Sequence, residues 1–258
     1  MKPKIVAFTS GKGGVGKSNI SLNSALALTE IGKRTLLVDL DFGLANIEIL
    51  LNLKPIRTMQ QLPSFNFDLS QIVVKGPWGL DLISCGRGFS WLNSLSIDDR
   101  NALIRAWREF CGDYELILLD TSPTLDENSL LFLACSDLVV LITSPELTSV
   151  LDTYTKIKTM ANQFRFKNFG IFVNCVEGEK QAVSVFSCIA EAAFKHLNVR
   201  VTYLGSAPFD SYVQDAVQLK QPFLVSFPSS KASKSVRSLA ECLLTECLQF
   251  SANRLIDP

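Results

Sequence analysis

The stretch Ser10-Gly11-Lys12-Gly13-Gly14-Val15-Gly16-Lys17-Ser18-Asn19 (SGKGGVGKSN, residues 10–19) decides the fold of this 258-residue chain. Gly11 to Ser18 fit the spacing of a phosphate-binding loop, in which two glycines bracket four residues and Lys-Ser follows. An apolar, β-branched run at 4–10 leads into the stretch and a helical pattern at 17–31 leaves it, so a strand feeds the loop and a helix receives it. Glycines allow successive backbone N–H groups to curl around phosphate oxygens, and the helix N-terminus adds partial positive charge. The motif makes Gly11, Gly13, Gly14, Val15, Gly16, Lys17, Ser18 and Asn19 the nucleotide-binding residues. Lys17 reaches the β- and γ-phosphates, and the Ser18 hydroxyl ligates Mg²⁺. Such a loop needs one lysine, and Lys12 is a second.

Outward from the loop, strand-like and helix-like segments take turns. Runs at 4–10, 34–39, 80–84, 115–120, 138–143, 169–175 and 200–204 read as strands covered on both faces. Residues 17–31, 98–110, 126–135, 147–163, 180–197 and 232–250 carry helical spacing, and Ile20, Ala27, Leu28 and Ile31 make one stripe before Gly32 stops the first helix. The alternation predicts an α/β, doubly wound, mostly parallel sheet with helices on both faces and a ligand site at the carboxyl ends of the strands. Residues 1–258 are expected to form one domain, with 231–250 as the final core helix and 251–258 as a short tail. Residues 52–79 carry several Pro and Gly and little periodicity.

Composition narrows the function. Twenty-five basic side chains balance twenty-five acidic ones, which leaves no broad positive field for non-specific nucleic-acid binding. The seven cysteines, at 85, 111, 135, 175, 188, 242 and 247, form no Cys-x-x-Cys, mostly sit in apolar runs and read as buried thiols of a reducing cytosol. His196 is the only histidine, which argues against a zinc site. No run of eighteen apolar residues and no export signal is visible.

Two further segments supply carboxylates. Residues 34–53 form an apolar strand ending in Asp39 and Asp41, and residues 115–123 form a second that ends in Asp120. With Lys12 before the loop, Lys-Gly-Gly-Val-Gly-Lys-Ser resembles the deviant Walker A motif of the MinD/ParA superfamily of ATPases, a group within the SIMIBI class of P-loop NTPases. The resemblance runs through residues 120–158 to Phe172-Val173-Asn174 and Ala207-Pro208-Phe209-Asp210, and so covers essentially the whole chain. It implies that Lys12 crosses a dimer interface to the nucleotide of a second copy, a cation delivered in trans. It implies further that Asp41 positions the attacking water, that Ser18, Asp39 and Asp120 serve Mg²⁺, and that Asn174, Pro208, Phe209 and Asp210 line adenine, favouring ATP.

Asp41-Phe42-Gly43-Leu44-Ala45-Asn46-Ile47, Leu50-Leu51-Asn52-Leu53, Gln221-Pro222-Phe223-Leu224-Val225 and Ser229-Ser230-Lys231-Ala232-Ser233 look most like the FlhG branch, which regulates flagellar number and placement. Asp120-Thr121-Ser122-Pro123 is nearer to MinD. The resemblance implies a cytoplasmic, Mg²⁺-dependent ATPase, slow without a partner, that dimerises with ATP. It implies partners in flagellar assembly: the SRP-type GTPase FlhF, a transcriptional regulator, or switch-complex proteins. A MinD-like division-site or ParA-like cargo-positioning ATPase is the alternative. An electron-transfer member would need Cys85 and Cys135 in a cluster motif that the sequence lacks. Val236, Leu239, Ala240, Leu243, Cys247 and Phe250 make one stripe with Glu241 and Glu246 opposite, and residues 251–258 offer only Leu255 and Ile256. Membrane association is therefore expected to be weak or partner-dependent, at the cell pole or the inner membrane face.

Overall fold

The structure, a computed structural model, describes residues 3–41, 46–53, 57–86, 96–124, 133 and 135–249. Eight strands form one sheet: β1 (Lys4–Ser10), β2 (Thr35–Leu40), β3 (Val73–Lys75), β4 (Asp81–Ser84), β5 (Leu116–Thr121), β6 (Leu138–Thr143), β7 (Phe169–Val176) and β8 (Val201–Pro208). Their order is β3-β4-β2-β5-β1-β6-β7-β8, and every pairing is parallel except β3 with β4. The expected mostly parallel, doubly wound sheet is therefore present.

Alternation along each strand divides the interior into two layers. On β1, Ile5 and Ala7 face one side while Val6 and Phe8 face the other, and all four are buried. Helices α3 (Ile97–Cys111), α4 (Leu147–Phe164) and α5 (Glu179–Leu197) cover the first side. Helices α1 (Lys17–Glu30) and α8 (Lys231–Gln249), with the short α2 (Asn46–Leu50), α6 (Ser211–Gln218) and α7 (Phe223–Ser226), cover the second. Helix α1 lies so deep that residues from Ile20 to Leu28 are all buried. Val236, Leu239, Ala240 and Leu243 of α8 are spent on this core, so the stripe read from 236 to 243 faces protein.

The winding positions the site. The connection from β1 leads toward the β2 side of the sheet, whereas that from β5 crosses β1 to reach β6. The chain thus reverses direction around β1, and a crevice opens at its carboxyl end.

Several boundaries differ from the sequence expectation. Helix α1 stops at Glu30, and Ile31, expected on the buried stripe, is 49% exposed because Gly32 turns the chain away at φ 81°. Residues 52–79 contain 3-10 turns and β3, a three-residue edge strand too short to show a period. Cys85 and Cys111 are buried as expected, but Cys175 and Cys188 are exposed. Most of the expected 126–135 helix, residues 42–45, and the tail with Phe250 lie outside the described residues.

At the β8 edge the pairing slips twice. Ile171 faces Tyr203 and Val173 faces Ser206, so β8 carries one extra residue, accommodated at Gly205 with φ 107°. Asn174 then faces Ala207 and Val176 faces Pro208, which makes Cys175, at φ 57°, the extra residue of β7. Bulges of this kind bend a strand and re-aim its side chains. Close packing holds the pair upstream: a Cβ on Gly170 would lie 2.3 Å from Cδ1 of the buried Leu204 and 2.8 Å from its Cγ. Gly170→Ala should cost about 1–3 kcal/mol by overpacking, read as a lower urea midpoint at unchanged m.

Candidate functional site

The loop after β1 is shaped by close approaches as well as by glycine torsions. Gly14 and Gly16 adopt φ 81° and 90°, in the left-handed region open to glycine. Gly16 also has no room for a side chain, because a Cβ there would lie 2.4 Å from Nδ2 of Asn174. At the other end of the loop, a Cβ on Gly11 would lie 2.3 Å from the carbonyl carbon of Asp152 and 2.5 Å from the Thr153 nitrogen. Helix α4 therefore seats directly on the loop. Gly16 is the N-cap of α1 and supplies no side-chain acceptor, and no acidic residue occupies the first turn. The amides at that terminus remain available to an anion.

Lys17, in the first turn of α1, is nearly buried and its ammonium organises the charged centre. Its Nζ lies 2.8 Å from Asp120 Oδ1, 3.6 Å from Asp41 Oδ2 and 3.2 Å from Ser18 Oγ. The sequence expected these four residues at one site, and the fold brings them there because β1, β2 and β5 are neighbours. Asp39 and Asp120 occupy paired positions on β2 and β5. Asp39 Oδ1 accepts from the Asp41 amide at 3.0 Å and Oδ2 from the Ile47 amide at 3.2 Å. Its carboxylate thus ties together the two ends of the segment from 41 to 47. Burial, and then the negative charge of Asp120, raise the Asp39 pKa from 3.8 to about 7.

Asp120 Oδ2 is buried and has no hydrogen-bond partner. A free oxygen on Asp120, whose other oxygen shares the Lys17 ammonium with the Ser18 hydroxyl, in a centre where Asp39, Asp41 and Asp120 outnumber the Lys17 charge, suits a hard divalent cation such as Mg²⁺.

Lys12 stands apart from this buried group. Its Nζ pairs with Glu146 Oε2 at 2.6 Å, and the side chains are 42% and 63% exposed. An exposed pair of this kind contributes about 0–1 kcal/mol. Glu146 is the N-cap residue of α4, and Leu147 and Leu151 beside it on α4 are exposed.

The residues expected to line adenine gather on the other flank. Asn174 donates from Nδ2 to the Val15 carbonyl at 2.9 Å, an alignment set by the bulge at Cys175. Pro208 ends β8 next to it, and Phe209 is exposed. Asp210 is engaged elsewhere. Its Oδ1 accepts from the Tyr212 amide at 3.1 Å, capping α6, and its Oδ2 accepts from the Ala232 amide at 3.0 Å, in the first turn of α8. Asp210 thus holds the loop in place, its carboxylate taken up by two backbone amides.

Sequence reasoning did not single out Lys156. It is 5% exposed on α4, and its Nζ donates to the Ser10 carbonyl at 3.1 Å and the Pro123 carbonyl at 2.6 Å. The signal available was a lysine in register with the buried stripe of Ser149, Val150, Thr153, Ile157 and Met160.

Comparison with known proteins agrees with this geometry. A family model described as ParA, NUBPL iron-transfer P-loop NTPase, matches residues 2–244. The chain is 31% identical over 238 residues to the antiactivator FleN of Pseudomonas aeruginosa, covering 92% of this chain and 85% of that protein. It is 27% identical over 252 residues to the flagellum site-determining protein YlxH of Helicobacter pylori, covering 94% and 82%. Among solved structures, a chain of the MinC:MinD cell division protein complex of Aquifex aeolicus superposes with a TM-score of 0.73 at 22% identity, covering 94% of this chain and 96% of that one. The septum site-determining protein MinD of Pyrococcus horikoshii, complexed with Mg-ADP, gives 0.72 at 20% identity, covering 93% and 95%. These two likenesses establish the shared fold. With the family model spanning nearly its whole length and the loop, the carboxylates and the sheet order all in place, the chain belongs to the ParA/MinD family of P-loop NTPases.

Proposed function

We propose that this chain is an ATP-dependent molecular switch that hydrolyses ATP to ADP and phosphate as a dimer and regulates flagellar number or placement. The observation that carries the ATPase reading is the Lys17 ammonium held between Asp120 and Asp41, beneath a glycine cradle and beside the unpartnered Asp120 oxygen. The flagellar role is supported by the likeness to YlxH, a flagellum site-determining protein, and the regulatory role by the likeness to the antiactivator FleN. Asp120-Thr121-Ser122-Pro123, nearer to MinD, favours a division-site or cargo-positioning role as the second reading.

In this proposal the amides of the loop and of the α1 terminus bind the phosphates, and Lys17 exchanges its carboxylate partners for terminal phosphate oxygens. Mg²⁺, held by Ser18 and Asp120 with Asp39 behind them, would neutralise charge on the β- and γ-phosphates. Asp41 orients a water toward the γ-phosphorus. Attack forms a new P–O bond and breaks the bond to the departing ADP. Asp39, through the amides of Asp41 and Ile47, keeps Asp41 in line. Asn174, Pro208 and Phe209 receive the adenine. Lys12 gives up an exposed, weakly held partner, Glu146, to reach the phosphates of the second copy at little cost.

Two sets of measurements check these statements. On a sizing column with Mg²⁺, the protein should elute as a dimer with ATP and as a monomer with ADP; identical elution removes the switch. Asp41→Ala should prolong the ATP-bound dimer, and Lys12→Ala should lose it and lower turnover by about 10²-fold. The second set concerns pH. Because the folded pKa of Asp39 lies above its ordinary value, the folded state holds this proton more tightly than the unfolded chain does. The resulting stability is complete below pH 3.8 and disappears as pH rises through about 7. In EDTA, urea midpoints should fall across that window. Asp39→Asn should flatten the fall, and saturating Mg²⁺ with ATP should remove it.

A further inference from the structure

Lys156 lies on the face of α4 that packs against the sheet, in a stripe otherwise made of Ser149, Val150, Thr153, Ile157 and Met160. An apolar side chain of similar length would pack there without the cost of taking an ammonium out of water. The cation meets two backbone carbonyls instead. Ser10, the first acceptor, ends β1 and opens the phosphate loop, and its own Oγ donates to the Lys12 carbonyl at 2.9 Å. Pro123, the second, stands three residues beyond Asp120.

The strand ends that these carbonyls extend are already stitched together by hydroxyls. Thr121 Oγ1 donates to the Phe8 carbonyl at 3.0 Å, and Thr9 Oγ1 to the Ser122 carbonyl at 3.4 Å. Lys156 adds α4 to that arrangement. The same helix begins at Glu146, which pairs with Lys12, and its backbone at Asp152 and Thr153 is the floor on which Gly11 rests. Two carbonyl oxygens converging on one site repel each other unless a donor lies between them, and charge-assisted hydrogen bonds are stronger and more directional than neutral ones. Any displacement of Pro123 relative to Ser10 must therefore lengthen a bond to Lys156 or pull α4 along.

We infer that Lys156 is a positioning residue that couples the segment after Asp120 to helix α4, so that the state of the phosphate site reaches the Lys12–Glu146 rim through that helix. The inference rests on the ATP-switch reading and assigns its internal linkage.

The test uses the full chain and the variants Lys156→Met and Lys156→Gln. Hydrogen–deuterium exchange with Mg²⁺ and ATP, against Mg²⁺ and ADP, is read on peptides from 116–124 and 147–164, together with steady-state ATP hydrolysis. In the unaltered chain, ATP should change exchange in both segments. In Lys156→Met the change should persist in the first segment and vanish from the second, with KM within about threefold and kcat lower by about tenfold or more. Lys156→Gln, whose amide still donates, should fall between. A role confined to stability would shift the unfolding midpoint while leaving the ATP response joined across both segments, and that result overturns the coupling. So would failure of both variants to fold, which would make Lys156 a structural residue. If the unaltered chain responds identically to ATP and ADP, the switch reading fails as well; if it responds and Lys156→Met responds equally in both segments, only the coupling fails.

Discussion

The arrangement depends on a cation placed where three strands end. Lys17 cannot be buried alone, because an unpaired ammonium away from water is too costly, so carboxylates must be delivered to it from β2 and β5. Parallel pairing on either side of β5 brings them: Asp39 faces Asp120 across β2 and β5, and Phe8 faces Asp120 across β1 and β5. The glycine loop then has a fixed distance to cover between β1 and α1. Burial of its carboxyl, and after that the negative charge of Asp120, hold a proton on Asp39 toward neutral pH. A site with surplus negative charge and an orphaned oxygen is poised for a divalent ion, and its organisation comes from the sheet.

Much of this was legible in the sequence because interior parallel strands read as unbroken apolar runs. All seven expected strands are present, and the loop, Asp39, Asp41, Asp120 and Asn174 converge as their strand ends suggested. What escaped were features whose signal is not periodic. Strand β3 has three residues and pairs only at the edge. Helix α6 has eight residues, too few for its periodicity to stand out in the sequence. The bulges at Gly205 and Cys175 follow from register between two strands, which neither strand reveals alone. Asp210 looked like a ligand-facing acid and is a cap for two helices, a role set by the docking of α8 some twenty residues away. Lys156 sits at the right spacing for burial, but a lysine at such a spacing carries no sign in the sequence of the carbonyls it meets in the fold.

Helix α4 emerges as the element that joins otherwise separate parts. It meets the phosphate loop at Gly11, the rim at Lys12 and the segment beyond Asp120 through Lys156, while Ser149 is bound to Thr143 and Ser144 at the end of β6. Its exposed Leu147 and Leu151 lie one turn apart beside Glu146. The glycine loop, the Lys12 rim and the segment beyond Asp120 thus all rest on this one helix.

The double cap at Asp210 carries a consequence for how the molecule is assembled. The Ala232 amide that it accepts belongs to α8, which follows every described strand along the chain. A nascent polypeptide that has already emerged with its complete sheet therefore still lacks the anchor for the loop holding Pro208 and Phe209. The rim after β8 would therefore settle late in synthesis, after the glycine loop and α1, and an unfinished chain would hold the two flanks of the crevice with unequal firmness.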